Sequence, residues 1–265
     1  MLTPDVASRD LWGFFHAAHI ATDLKGAVTV NQNERPSAAR ERLARYRFDQ
    51  APVVLPERIV GWVLTSKLHE KQTVGSVMTP LDQSAIVSAE SSVANALQVL
   101  GQHSFVFTAD KAGLAGFIVP SDLDRHAARS YFYLLVSGIE MLLSEVIKSE
   151  VSEDTLIEIM RPNVRKRYDQ ARSAGSETNA VEYLYINQLV ELFLKTPYVD
   201  NPRVWSEQLT QQLMAVRDFR NIVMHPTCSI AATRSPAEAA ELASAAENVA
   251  EQLREMVINL RRHNS

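Results

Sequence analysis

The sequence predicts an α+β protein in two parts, an N-terminal pair of α/β repeats over residues 1–125 and an all-α bundle over 126–265. Three observations predict it. The first half carries short apolar runs of strand length, punctuated by Pro52, Pro56, Gly61, Gly113 and Gly116, residue types that end strands and shape turns. After Asp122 glycine is rare, with only Gly138 and Gly175, and apolar residues recur at three-to-four spacing, the period of a helix with one buried face. The first half also repeats itself once, as two copies of one supersecondary unit would.

Taken in order, Leu11 to Ile20 reads as an apolar helix. The first copy runs strand Ala27–Val30, helix Ser37–Tyr46, then strands Ala51–Leu55 and Ile59–Leu64. The second runs strand Ala85–Val87, helix Ser92–Leu100, then strands Ser104–Phe107 and Leu114–Val119. Both close on Gly-apolar-apolar-apolar-x-Ser-x-Leu, at Gly61 to Leu68 and Gly116 to Leu123. Helices follow near 127–149, 153–173, 179–195, 203–224 and 235–262, with breaks at Ser173–Ser176, Asn201-Pro202 and Pro226.

With 265 residues, 46% hydrophobic and 22% charged, the chain can bury ordinary cores. Its most apolar segment, Tyr131 to Leu143, is interrupted by Glu140 and falls short of the roughly 20 residues that span a bilayer, so no membrane partner is expected. Arg9 and Asp10 precede Leu11–Phe15 and no small-residue cleavage site follows, which does not read as a signal peptide. The single Cys228 excludes an intrachain disulfide framework and fits a reducing, cytoplasmic setting. A net charge of −4 argues against a broad non-specific grip on nucleic acid, while leaving room for a small site with a few arginines.

The repeat endings, with Thr73-Val-Gly-Ser-Val-Met-Thr-Pro80 between the copies, resemble a tandem CBS-domain pair over roughly residues 10–125. In that family the segment between repeats commonly reads V-x-x-V-M-T-P, and each repeat commonly closes on G-x-x-T-x-x-D-L. The resemblance implies a regulatory adenine nucleotide (AMP, ATP or a related ligand) in the cleft between repeats. A Thr or Ser would hold phosphate or ribose, and the closing Asp would accept from ribose hydroxyls, as a two-oxygen acceptor suits a cis-diol. Only part of the pattern is present. Asp122 matches the aspartate, but Val119 stands where Thr is usual; in the first repeat Leu64 and Lys67 replace Thr and Asp. Thr65 and Ser66 lie beside the expected hydroxyl position, and Lys67 can instead meet a phosphate. Asp122 also reads as a helix N-cap with Ser121. The arginines Arg40, Arg42, Arg45 and Arg47 suit an anionic ligand, although a solvated helix face explains them as well.

In the second half, Val216 to Pro226 carries the densest functional signal. On a helix, Arg217, Asp218, Arg220, Asn221 and His225 fall in one polar arc, opposite Ala215, Val216, Phe219, Ile222 and Val223. Asn221 and His225 are stacked four apart, and Pro226 should end the helix at His225. There the imidazole is free for proton exchange, or simply interacts with the helix dipole. Arg220-Asn-Ile-Val-Met-His225, after the long helix opening at Tyr131 and before the one from Ala237 to Arg262, resembles the R-N-x-x-x-H signature of HEPN domains over about 127–262. That resemblance implies a homodimeric, metal-independent endoribonuclease needing no catalytic cofactor, in the setting of stress or phage defence. His225 would exchange the 2′-OH proton, Arg220 would hold the phosphate oxygens, and Asn221 would orient His225 or contact the backbone. The products would be a 2′,3′-cyclic phosphate and a 5′-hydroxyl.

Two further clusters stand out. Arg161 to Arg172, with Arg165, Lys166 and Arg167 around Tyr168, suits an RNA backbone with a base stacked on the tyrosine, or is a solvated helix face. His16-Ala-Ala-His19 has metal-compatible spacing without supporting ligands, so packing is expected and no metal site is assigned. The sequence therefore reads as a nucleotide-regulated ribonuclease, against a non-catalytic nucleotide-responsive scaffold or a partner of a nucleotidyltransferase.

Overall fold

The computed structural model describes residues 11–56, 58–69, 73–225 and 227–263. Its first half contains α1 (Ala17–Ile20), β1 (Thr22–Asp23), β2 (Val30–Asn31), α2 (Pro36–Arg45), β3 (Gln50–Leu55) and β4 (Arg58–Leu64). These are followed by α3 (Val74–Val77), β5 (Thr79–Pro80), β6 (Ala85–Ser88), α4 (Val93–Gln102), β7 (Val106–Asp110) and β8 (Gly113–Ile118). The expected repeat is present as two four-stranded sheets of matching order, β2-β3-β4-β5 and β1-β8-β7-β6. In each copy the first strand pairs parallel with the second across the intervening helix, and the second pairs antiparallel with the third. Even the register shifts agree, at Val53/Val54 and Thr108/Ala109.

The fourth strand of each sheet is exchanged between copies. β5, which leads into the second copy, pairs with β4 of the first; β1, which leads into the first, pairs with β8 of the second. Thus Trp62 pairs with Thr79 and Phe117 with Thr22, so Thr22 and Thr79 are equivalent. The closing glycines permit this approach. A Cβ on Gly61 would collide with the Thr79 carbonyl, and one on Gly116 would sit 2.7 Å from the Thr22 carbonyl. The first copy buries Val30, Leu43, Val53 and Val63. A second cluster draws on both copies, with Trp62 stacked on Phe105 at 5.0 Å and Phe105 on Phe117 at 4.9 Å.

The second half is helical: α5 (His126–Glu150), α6 (Glu153–Glu158), α7 (Pro162–Ser173), α8 (Ile186–Phe193), α9 (Glu207–Met224), α10 (Ile230–Thr233) and α11 (Pro236–His263). The chain divides into two compact units. One holds Phe15–Ala128 with Ala231–Ala240; the other holds residues 11–14, Arg129–Ile230 and 241–263 of the described chain. The helical unit buries Tyr131, Phe132, Phe193, Trp205 and Phe219, with Phe132 edge-on to Phe219 at 5.2 Å and Phe193 edge-on to Trp205 at 4.6 Å.

Several expectations are corrected. Leu11–Ile20 is not one helix: a 3-10 turn over Leu11–Phe14 stops before His16, which bridges to Ser92 and precedes α1. The 153–173 stretch breaks between α6 and α7, where Arg161 takes an extended backbone ahead of Pro162. The 179–195 stretch is a 3-10 turn, Ala180–Tyr183, and then α8. The strand placed at Ala27–Val30 begins only at Val30, and that placed at Ser104–Phe107 begins at Val106. α5 is, by length and composition, long and apolar enough to cross a membrane, contrary to the reading of Tyr131 to Leu143 alone. Its Leu135, Ile139, Leu143 and Val146 are buried within the helical unit.

Candidate functional site

Within the repeat unit a cleft of about 370 Å³ is lined by Thr22, residues 26–28, residues 47–50, Phe117, residues 119–122 and Arg125. Among these is Asp122, whose side chain is only 1% exposed. The Val119 N–H donates to Oδ2 at 2.8 Å, Arg125 Nε lies 2.8 Å from Oδ1, and the Thr22 hydroxyl donates to Oδ1 at 3.4 Å. Burial pushes the carboxyl up to about 6, against the opposing pull of the Val119 N–H, Arg125 and Thr22. Asp122 sits in a 3-10 turn, Pro120–Asp124, so it is held by this network rather than serving as the N-cap of α5.

The far wall comes from the end of α2. Arg47 has φ 56°, the only positive value among described non-glycine residues. The Arg47 N–H donates to the Ala44 carbonyl and the Phe48 N–H to the Leu43 carbonyl, at 3.0 and 2.9 Å. This paired closure of a helix end normally places glycine at the left-handed position. Here an arginine bears the strain beside the cleft, a place where strained residues gather. Phe48 stacks on Tyr46 at 5.7 Å and 18°, with both rings largely exposed.

Of the three ligand residues expected from sequence, only Asp122 lines the cleft. Thr65 donates its hydroxyl to the Phe48 carbonyl at 2.8 Å and accepts the role of a brace for the 48–49 loop, while Ser66 and Lys67 are exposed. Thr22, Arg47, Phe48 and Gln50 complete the site and were not singled out for it by sequence, apart from Arg47 among the four arginines. Thr22 was within reach, because Thr73-Val-Gly-Ser-Val-Met-Thr-Pro80 has a degenerate counterpart in His16-Ala-Ala-His-Ile-Ala-Thr-Asp23. That register also accounts for the histidines. The His16 N–H donates to His19 Nδ1 at 2.9 Å and the rings stack at 5.7 Å. Among the described residues no group of three metal-ligating side chains forms.

In the helical unit, α9 buries Leu213, Val216, Phe219 and Val223, while Asp218, Asn221 and His225 are exposed. Ala215, expected on the buried face, is exposed. α9 ends at Met224 and His225 is extended, with φ −103° and ψ 104°; Pro226 lies outside the described residues. Arg129 holds this end: its guanidinium donates to the carbonyls of His225 at 2.9 Å and Cys228 at 2.8 Å. Arg220 is half-buried, and its Nε donates to Glu140 Oε1 at 3.2 Å. On α7, Arg165, Lys166 and Arg167 are exposed, with Arg165 paired to Asp169 at 3.0 Å. Tyr168 cannot stack on a base as the sequence suggested. It is 4% exposed, donates to Glu153 at 2.7 Å and packs edge-on against Tyr183.

No protein-family model matches the sequence, and no curated protein matches it. The solved structures it resembles include CBS-domain proteins. A CBS domain-containing protein of unknown function from Bacillus anthracis aligns at 17% identity and a TM-score of 0.37, covering 42% of this chain and 90% of that one. The Arabidopsis thaliana CBS-pair protein CBSX2, in a complex with AMP, aligns at 18% and 0.39, covering 44% and 98%. The CBS domain of a bacterial CNNM/CorC family Mg2+ transporter, in a complex with ATP, aligns at 17% and 0.37, covering 42% and 86%.

Proposed function

We propose that this chain is a regulatory protein whose CBS-type repeat pair binds an adenine nucleotide in the Asp122 cleft. One observation carries the reading: a nearly inaccessible carboxylate lines a cleft of ligand size, flanked by Arg125 and Arg47. Keeping a carboxylate buried is costly even with the Val119 N–H, Arg125 and Thr22 as partners, which points to a use for it, and pockets of roughly 300–1,000 Å³ suit small molecules. The ribose diol would donate to Asp122, whose two oxygens offer about four acceptor directions. Arg125 and Arg47 would meet the phosphates, supplying what the missing threonine at Val119 does not. Titration calorimetry of the full chain with AMP and ATP should show saturable binding, weakened at least tenfold in Asp122→Ala. No binding of either nucleotide at millimolar concentration overturns the reading.

A second reading, a metal-independent endoribonuclease, rests on the exposed Asn221 and His225 at the C-terminal end of α9, with Arg220 a turn and a half behind. His225 would take the 2′-OH proton and Arg220 would stabilise the phosphorane, working as a homodimer on RNA. The Glu140 partner competes with that use of Arg220, so this reading stands second. Cleavage of single-stranded RNA in EDTA by the wild type, lost in Arg220→Ala and His225→Ala, would promote it to first place. Cleavage that survives both substitutions removes it.

A further inference from the structure

Among the described residues, two buried side-chain polar atoms have no hydrogen-bond partner, and one of them, Gln50 Oε1, belongs to a residue lining the Asp122 cleft. An orphaned buried acceptor is expensive to keep. The internal repeat shows what this position does elsewhere. Val53 pairs with Gly61 and Thr108 with Gly116, so Gln50 and Phe105 are equivalent residues of the two copies. Phe105 is fully buried and stacked between Trp62 and Phe117. The second copy therefore fills this position with an aromatic core residue, whereas the first places a carboxamide beside Phe117 in the cleft wall.

We infer that Gln50 reads the base of the bound nucleotide, accepting a hydrogen bond from the exocyclic amine of adenine. This rests on the nucleotide reading above and assigns its specificity. A carboxamide pairs with the adenine edge through two hydrogen bonds, N6–H to oxygen and amide N–H to a ring nitrogen. Rotating the amide by 180° exchanges acceptor for donor, and that edge offers a partner for each. Exposed Phe48 supplies an aromatic face for the ring. The base would sit at the Gln50–Phe48 side, the ribose at Asp122 and the phosphates at the arginines.

The test compares AMP with purine riboside 5′-monophosphate, which carries hydrogen in place of the 6-amine, on the full-length wild type and Gln50→Met. The wild type should prefer AMP by roughly tenfold, the discrimination expected of a bidentate base contact. Gln50→Met should bind both with similar affinity, and Asp122→Asn should weaken both while keeping their ratio. Equal wild-type affinities, or a preference that survives in Gln50→Met, overturn the assignment to Gln50 and leave the nucleotide reading standing. Binding of neither compound overturns both. Should Gln50→Met not fold, Gln50→Leu takes its place with the same two outcomes.

Discussion

Asp122 concentrates the physics of the cleft in one side chain. Its carboxyl titrates at about 6, against an ordinary 3.8, because burial outweighs the Val119 N–H, Arg125 and Thr22. Between those values the folded chain holds a proton that the unfolded chain has lost, so stability falls as pH rises through the window. Above pH 6 the full cost is present, on the order of 3 kcal/mol at 1.36 kcal/mol per unit. Asparagine keeps an acceptor for the Val119 N–H but carries no charge. Asp122→Asn should therefore gain on the wild type by roughly 2 kcal/mol between pH 4.5 and pH 7. Urea unfolding of both proteins at the two pH values measures this, and a difference that does not change with pH refutes the buried-charge account. The aspartate was legible in the sequence because the repeat endings line up. Thr22, 100 positions away, could be reached only through the degenerate repeat of Thr73–Pro80 at His16–Asp23, and Gln50 carries no motif at all.

At the scale of elements, what was legible followed length. β3, β4 and β8 are six- or seven-residue, mostly apolar strands and were placed to within a residue. β1 and β5 have two residues each, too few for any alternation to register, and both exist through pairing with the other copy. The helical breaks at Arg161 and Tyr183 were missed because apolar spacing continues across them, and Tyr168 was misread because a basic sequence does not reveal which side of α7 is buried. The exchanged strands depend on the two closing glycines. Valine at Gly116 would press on the Thr22 carbonyl and on the Thr108 hydroxyl, 2.7 and 2.9 Å from the new Cβ. Gly116→Val should lower stability by about 2–3 kcal/mol, in the range of overpacking, and should weaken nucleotide binding as Thr22 is displaced. A fully stable variant with unchanged AMP affinity would show that β1 does not shape the cleft.

At the scale of the whole molecule, two helices continue through the division between the units: α5 across Ala128/Arg129 and α11 across Ala240/Glu241. Helix formation is cooperative, so opening one unit frays helices that the other unit needs. Unfolding should therefore be a single transition, seen alike by calorimetry and by the fluorescence of Trp12, Trp62 and Trp205, of which Trp62 reports on the repeat unit and the other two on the helical unit. A nucleotide bound only to the folded repeats stabilises by RT ln(1 + [L]/Kd), about 2.7 kcal/mol at one hundred times Kd. If the units unfold together, AMP moves the fluorescence of all three tryptophans by the same amount. If the ribose diol donates to Asp122 as proposed, the gain should shrink as pH falls below 6, because protonation turns one of the two acceptor oxygens into a donor and removes the charge. Two transitions, with AMP moving only the one reported by Trp62, would mean that the helices transmit no stability across the division. A regulatory effect of the repeats on the helical unit would then need a route other than shared folding.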